Sequence, residues 1–270
     1  MNRGMIRTLV MGLVIGLVMA GLGLIWGGRT SLSVDWQGVH VPSGKPVKLH
    51  VDEQLSFDKL VIDVSVADVS VIRGKKFEIK ADYQDGIVPS YSLSGGVLKI
   101  QDEGARSFNL NFGFYNPANR VEVTLPDRRL NSAEISSDVG DVNLNSLNTG
   151  ALTVRSSTGS ITAKDIAFDD GKFECGVGDV EIHDVTSGKL YLSSGTGDVG
   201  ASGVLRGETR ITSGVGSVNV TTKLPRTDYR VRANASLGKV WLSPEGGSDG
   251  GPHTLIMESG VGSVSCEFAR

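Results

Sequence analysis

The chain has 270 residues, a formal net charge of −3 and a pI of about 5.8. This balance provides no basic surface for nucleic acid, so we exclude a nucleic-acid-binding function. Glycine makes up 36 of the residues, about twice its usual share, which favours a turn-rich β protein. The sequence contains no H-E-x-x-H, G-x-S-x-G or Walker A motif, and its histidines are scattered. We therefore predict no catalytic residues, no metal site and no cofactor.

The N-terminal segment has the composition of a membrane anchor. Residues 9–26 form a run of 18 without a charge, which is about the minimum for a spanning helix and longer than the apolar core of most signal peptides. Arg3 and Arg7 precede the run and favour a cytoplasmic N-terminus. We predict a cytoplasmic segment at 1–8, an uncleaved single-pass anchor at 9–28, and a C-terminal domain outside the cytoplasmic membrane.

Between this anchor and the repeats, the sequence predicts a stalk and an irregular β region. Residues 29–45 contain glycine and proline and favour a short stalk, and residues 46–130 form the irregular β region. Within it, residues 60–72 alternate in polarity around Ala67, so we expect an early, degenerate copy of the repeats described below. Further strands are predicted at residues 47–51, 77–81, 97–100 and 120–125.

An aromatic segment at residues 108–115 interrupts this β region. It alternates apolar and polar residues, and two interpretations are open. The segment could fold over the first rung as a cap, which solenoids need for solubility, and this is the interpretation we favour. It could instead be a protruding hairpin that provides a contact surface. The candidate interaction residues in it are Phe108, Phe112, Phe114 and Tyr115.

Copies of the tripeptide Gly-[Asp/Ser/Lys]-[Val/Ile] divide residues 131–270, and the first five are spaced by 19 residues. Apolar residues recur five positions before each glycine and two and four positions after it, and small Ser, Cys or Ala residues recur three positions before it. This is a period-two pattern of strands with one inward face. Stacked copies bury these faces against one another. The sequence therefore predicts an all-β fold, a parallel β-solenoid with rungs of about 19 residues. The glycines are Gly140, Gly159, Gly178, Gly197, Gly216, Gly238 and Gly262.

The residue after each of these glycines is often acidic. Asp179 and Asp198 should be neighbours on adjacent rungs, where like charges either repel or share a cation. Calcium-binding β-rolls carry several regularly placed acids in each repeat, whereas a rung of this chain supplies one at most. We favour solvated turn acids over a metal site, and we include both residues in the candidate interaction surface.

The two cysteines occupy inward positions of different rungs. If the rungs stack in chain order, Cys175 and Cys266 are four rungs apart. At roughly 4.8 Å per rung their separation is about 19 Å, far beyond the reach of a disulfide. We expect both to be small buried thiols.

One motif resembles a known family. The segment Ser136-Ser137-Asp138-Val139-Gly140-Asp141-Val142 follows a predicted strand, and Ser194-Gly195-Thr196-Gly197-Asp198-Val199 repeats its pattern. Over about residues 55–270 the chain resembles the bacterial putative-adhesin family of β-strand-repeat, membrane-tethered envelope proteins, which includes LiaG-like proteins. The resemblance implies an extracytoplasmic solenoid near envelope-stress systems. It supplies no catalytic residues.

Two functional hypotheses follow. The first is a non-catalytic interaction module that is tethered to the cytoplasmic membrane and binds a cell-wall polymer or another envelope protein. The second is a polysaccharide-acting enzyme that uses acids on one strand face, as β-helical lyases do. Asp179, Asp198 and His183 could share such a face.

Overall fold

The computed structural model describes residues 32–35, 38–40, 47–52, 55–83, 88–103, 110–112, 119–244 and 250–269. The chain divides into two compact units: Met1–Lys45 with Arg106–Pro117, and Pro46–Ala105 with Ala118–Arg270. The predicted cytoplasmic segment 1–8 and anchor 9–28 lie outside the described residues. In the part of the chain that is described, no helix is long and apolar enough to cross a membrane.

The smaller unit contains a three-stranded antiparallel sheet. Its strands are β1 (Leu32–Asp35), β2 (Gly38–His40) and β9 (Leu110–Phe112), in the order β2-β1-β9. Two of these strands lie within the segment where the sequence predicts a stalk. The third lies within the aromatic segment.

The larger unit is all-β and solenoid-like, as the repeats predict. Among its described residues, the only helical element is the 3-10 turn Arg226–Asp228. Its strands are β3 (Val47–Val51), β4 (Lys59–Val66), β5 (Asp68–Arg73), β6 (Glu78–Tyr83), β7 (Val88–Ser94), β8 (Val97–Glu103), β10 (Arg120–Leu125), β11 (Arg129–Val139), β12 (Val142–Asn145), β13 (Asn148–Thr158), β14 (Ile161–Lys164), β15 (Ala167–Val177), β16 (Val180–Thr196), β17 (Val199–Leu205), β18 (Glu208–Val215), β19 (Val218–Pro225), β20 (Tyr229–Leu237), β21 (Val240–Ser243), β22 (His253–Val261) and β23 (Val264–Ala269).

Two ladders of strands enclose one continuous apolar core. The first has the order β7-β8-β4-β11-β13-β15-β16-β18-β22-β20, and all its pairs except β7–β8 are parallel. The second has the order β3-β6-β10-β5-β12-β14-β16-β17-β19-β23-β21, and only its first two pairs are antiparallel. Strand β16 belongs to both ladders, because its first residues pair in the second and its last residues pair in the first.

The 19-residue spacing of the sequence is the register of these parallel ladders. The residues two positions after the glycines pair successively and are fully buried: Val142, Ile161, Val180, Val199 and Val218. Val142 also pairs with Val69, which lies two positions after Ala67. Both the inward column and the early copy of the repeat are therefore confirmed.

The glycine of each rung lies against the backbone of the preceding rung. Gly197 has a φ of +145°, and a Cβ on it would lie 2.1 Å from the carbonyl oxygen of Gly178. A side chain cannot occupy that space, so the rungs reach the strand spacing of a parallel sheet only with glycine at this position. The first rung has Ala67 here, and Ala67 does not have a positive φ.

A second contact explains the small residues three positions before each glycine. The buried hydroxyl of Ser194 donates a hydrogen bond to the carbonyl of Gly178 at 2.8 Å, and the thiol of Cys175 contacts the carbonyl of Gly159 at 3.1 Å. These bonds tie the turns of consecutive rungs together. The equivalent residues in other rungs make the same bond: Ser137, Ser156, Ser213 and Ser259.

The last two rungs do not stack in chain order, and the sequence interpretation is wrong on this point. The N–H of Gly216 donates to the carbonyl of Val261 at 2.8 Å, and the N–H of Gly262 donates to the carbonyl of Leu237 at 2.9 Å. Strand β22 accordingly pairs with both β18 and β20. The rung of Gly262 therefore lies inside, and the rung of Gly238 forms the end of the ladder.

The inward residues of the two rungs give a physical reason for this order. Five positions before its glycine the inner rung has Met257, which is fully buried. The outer rung has the smaller Ala233 at the same position, and this residue is half-buried. Larger apolar side chains gain more from a place with neighbours on both sides, because more of their surface leaves water.

The exchanged order also corrects the separation of the cysteines. Cys175 and Cys266 are three rungs apart rather than four, which corresponds to about 14 Å at the usual strand spacing. Both are buried free thiols, as predicted.

Candidate functional site

The acidic column after the glycines forms a ladder of hydrogen bonds to the backbone. The N–H of Asp198 donates to Oδ1 of Asp179 at 2.7 Å, and the N–H of Ser217 donates to Oδ1 of Asp198 at 2.7 Å. The N–H of Asp179 donates in turn to Oγ of Ser160 at 3.3 Å. The structure thus brings Asp179 and Asp198 together on adjacent rungs, as the spacing predicts.

These bonds explain how two acids can occupy adjacent rungs. Each carboxylate accepts an N–H from the following rung, and a charge-assisted bond of this kind offsets the repulsion between the acids. The side chains of Asp179 and Asp198 remain exposed. Among the described residues, no group of three or more His, Cys, Asp and Glu could hold a metal ion. The ladder joins the rungs and presents carboxylates to solvent, and its role in binding stays a prediction.

His183 contacts a carboxylate that the sequence analysis does not single out. Its Nε2 is 3.9 Å from the carboxylate of Glu181, and its Nδ1 is 3.4 Å from Oγ of Ser202. Burial raises the pKa of Glu181. The charge of His183 lowers this pKa in part, whereas the charges of Asp179 and Asp198 raise it further. Glu181 is therefore a further acid on this face, next to His183 and with a raised pKa.

The aromatic candidates are mostly outside the described residues. This applies to Phe108, Phe114 and Tyr115. Phe112 ends strand β9, and its backbone pairs with Leu32. Whether the segment is a cap or a contact surface stays a prediction.

An exposed apolar column immediately precedes the turn glycines, and the sequence analysis misses it. Each member pairs in register with its counterpart on the next rung. Its aliphatic side chains are 39% to 68% exposed, whereas the inward valines are fully buried. We call this column the valine stripe, and its members in spatial order are Val66, Val139, Thr158, Val177, Thr196, Val215, Val261 and Leu237.

The valine stripe lies between two other columns. Two positions before the turn glycines, Gly176, Gly195 and Gly214 are exposed, and their bare backbone leaves a flat strip beside the valines. One position after the turn glycines is the ladder of Asp and Ser side chains. A ligand that lies along the stacked rungs would therefore contact methyl groups, flat backbone and hydrogen-bond acceptors at successive rungs.

Strict alternation does not predict this stripe, because two consecutive residues are exposed where these strands end. Strict alternation predicts that the residue before the glycine faces inward, since the residues five and three before it do so. In β15 and β18, however, the burial pattern ends in two consecutive exposed residues. The available signal was the recurrence of Val and Thr next to a turn, where polar residues are usual.

Several solved structures are similar to this chain at low sequence identity, among them the following three. A putative cell adhesion protein from Clostridium sporogenes is 18% identical over 83% of this chain and 100% of its own, with a TM-score of 0.37. A putative adhesin from Bacteroides fragilis is 14% identical over 83% and 98%, with a TM-score of 0.45. A putative lipid binding protein from Parabacteroides distasonis is 16% identical over 85% and 98%, with a TM-score of 0.38.

A comparison with curated proteins finds no match. A family model described as Toastrack DUF4097 matches residues 57–249. This range includes the early copy around Ala67 and most of the repeats, so the resemblance inferred from the glycine motif is confirmed. Because the model covers well over half of the sequence, the chain belongs to the Toastrack DUF4097 family.

Proposed function

We propose that this protein is a non-catalytic, adhesin-like interaction module of the bacterial cell envelope. In this proposal residues 9–28 tether it to the cytoplasmic membrane, with the larger unit outside and with a role linked to envelope stress. The observation that carries the proposal is the valine stripe, a column of six exposed aliphatic and two threonine side chains that is in register over eight paired strands. Contiguous apolar surface on a folded protein marks a binding site more often than chance exposure does.

The neighbouring columns indicate what the valine stripe binds. Sugar rings expose apolar C–H faces and hydroxyl edges. The valine methyl groups would contact the faces, and the carboxylates of Asp179 and Asp198 would accept hydrogen bonds from the hydroxyls. The negative charge of these acids disfavours an anionic chain at this place. The ligand that fits is an uncharged glycan strand of the cell wall, and an envelope protein is the competing partner.

Conversion of the stripe to threonine tests the proposal. Thr158 and Thr196 already belong to the stripe, so Val→Thr at other members preserves β-propensity and shape while it adds a polar group. The test variant changes Val139, Val177, Val215 and Val261 to Thr. The control is Val88→Thr, which alters a comparably exposed valine outside the stripe.

Sedimentation with purified cell walls provides the measurement. We expect the quadruple variant to bind several-fold more weakly, with an unchanged melting temperature, and the Val88→Thr control to bind like the wild type. Equal binding of wild type and quadruple variant would contradict the assignment of the stripe. Binding to envelope proteins but not to cell walls would show that the partner of the stripe is a protein and would overturn the glycan assignment.

The enzymatic alternative is tested separately. Asp198→Asn keeps an oxygen that can accept the N–H of Ser217, so the ladder should persist while the charge is lost. We expect no turnover of anionic polysaccharides by the wild type. Turnover that Asp198→Asn, or Asp179→Asn, abolishes would overturn the non-catalytic proposal.

A further inference from the structure

A cationic cavity lies between three connections of the larger unit, away from the valine stripe. It has a volume of about 570 Å³ and is lined by the chain before β4, the turn between β5 and β6, and the turn between β10 and β11. The volume is within the usual range for small-molecule sites. Its lining residues are Asp52, Leu55, Ser56, Lys75, Lys76, Phe77, Pro126 and Arg128.

The guanidinium of Arg128 has an unused binding edge. Its Nε and Nη2 atoms are buried, and neither has a hydrogen-bond partner in the part of the chain that the structure describes. These two atoms carry the parallel N–H groups with which arginine holds two oxygens of a carboxylate or phosphate at once. A guanidinium remains charged and has no acceptor atoms, so buried donors without partners are costly.

The surrounding rings fix the orientation of this edge. The Arg128 guanidinium lies 3.9 Å from the centre of the Phe57 ring, and Phe57 contacts Phe77 edge to face at 5.4 Å between ring centres. Stacking on an aromatic face restricts the plane of the guanidinium. The stacking therefore keeps the guanidinium at the wall of the cavity, where a ligand must displace the groups that cover Nε and Nη2 to reach them.

The charges around the cavity favour an anion. Lys75 and Lys76 are exposed at its wall, and Asp52 is the single acid among the described lining residues, so these residues carry an excess of two positive charges. Burial lowers the pKa of Arg128, and Asp58 opposes that effect in part. The side chain of Asp58 accepts a hydrogen bond from Asn131 instead of binding the free edge of Arg128.

We propose that this cavity binds the phosphate group of a phosphate ester. Arg128 holds two phosphate oxygens through Nε and Nη2, and Lys75 and Lys76 compensate the remaining charge. A phosphate matches this lining better than a carboxylate does, because it presents more oxygens and suits three cations. None of these residues belongs to the valine stripe, so the site goes beyond the proposed function and the two can fail independently.

Calorimetric titration of the purified full-length protein with glycerol 1-phosphate tests the site. We expect binding that weakens as salt is raised, because the lysines are exposed to screening. Arg128→Lys keeps the charge but loses the two-pronged edge, so it should bind at least about tenfold more weakly. The control is Arg155→Lys, which changes an exposed arginine that pairs with Glu134 and Glu174 on the outer face.

Two further measurements keep the test decisive if Arg128→Lys fails to fold. The double variant Lys75→Gln and Lys76→Gln alters only exposed side chains and should bind several-fold more weakly. In the wild type, the NMR signal of the Arg128 Nε–H should shift on titration with glycerol 1-phosphate. An unmoved signal, or equal binding of glycerol 1-phosphate and glucuronate, would overturn the proposal.

A second ligand tests whether the bound phosphate belongs to a lipid headgroup or to a water-soluble ester. Dihexanoyl phosphatidylglycerol below its micelle concentration presents the same phosphate on a lipid. Tighter binding of this lipid than of glycerol 1-phosphate supports the site and identifies a lipid headgroup. Equal binding supports the site and identifies a polymer or a free ester. Absence of binding by both contradicts the site.

Discussion

Replacement of Gly197 by alanine should be among the most damaging single changes in the ladder. The Cβ would lie 2.1 Å from the carbonyl oxygen of Gly178, and the residue has a φ of +145°. Backbone strain for a non-glycine residue in this region costs about 1–3 kcal/mol. The rungs must also separate locally, which weakens the bonds from Gly197 to Val215 (2.8 Å) and from Gly178 to Thr196 (2.9 Å).

The sum gives the expected loss of stability. Two weakened backbone bonds cost about 1 kcal/mol each, so the free energy of unfolding should fall by about 3–5 kcal/mol in total. For a unit of this size the melting temperature should fall by about 10 °C. Scanning calorimetry of the full-length protein is the assay.

Two controls separate the clash from the backbone strain. Gly95 has a φ of +57°, and a Cβ on it would meet nothing within 4 Å, so Gly95→Ala carries only the left-handed penalty of about 1–2 kcal/mol. Ala67→Gly changes the glycine slot of the first rung and should cost less than about 1 kcal/mol. If Gly197→Ala is no more destabilising than Gly95→Ala, the close approach of the rungs does not require glycine and the reasoning is refuted.

Three further predictions concern the thiols, the topology and the buried serine hydroxyls three positions before the turn glycines, which we call the hydroxyl column. Ser194→Ala removes the buried hydrogen bond to Gly178, so the free energy of unfolding measured in urea should fall by about 1–2 kcal/mol. Ser193→Ala should be nearly neutral, and equal losses in the two variants would argue against a stabilising role of the hydroxyl column. Burial raises the pKa of Cys266 to about 12 and also raises that of Cys175, so neither thiol should react with a disulfide reagent at pH 8 until guanidinium unfolds the protein. Prompt reaction of the native protein would show that a thiol is accessible. Protease added to intact protoplasts should digest the larger unit, and protection of that unit would contradict the predicted orientation.

The repeat accounts for most of what the sequence predicts correctly. From Gly140 to Gly216 the glycine of each rung meets the backbone of the rung before it, so the 19-residue spacing of these glycines reports the ladder register directly. The inward columns follow from alternation around it. Outside the repeats, the strands at Val47–Val51 and Arg120–Leu125 end where the sequence predicts. These features depend on neighbours along the chain or one rung away.

The features that sequence reasoning misses depend on three-dimensional geometry. The valine stripe is exposed because the inward–outward alternation breaks after the buried serine column, where two consecutive residues are exposed. The cavity around Arg128 brings together three connections that are far apart in the sequence. The unpartnered edge of Arg128 could not be inferred from the sequence, because it depends on the packing of the guanidinium against Phe57.

The exchanged order of the last rungs gives a test that discriminates between two stacking schemes. Val264 and Val240 occupy the same position after their glycines. Val264 is fully buried between Val218 and Val240, whereas Val240 is 44% exposed at the end of the ladder. Stacking in chain order would reverse these environments, with Val240 inside and Val264 at the end.

The same substitution at both positions measures which valine is inside. Val264→Ala removes two buried methyl groups and leaves a cavity, so it should lower the free energy of unfolding by about 2–3 kcal/mol. Val240→Ala should cost less than about 1 kcal/mol, because much of that side chain already contacts water. The intrinsic loss of β-propensity is the same in both variants and cancels in the comparison. A larger loss for Val240→Ala would show that the rungs follow chain order and that the final rung closes the ladder.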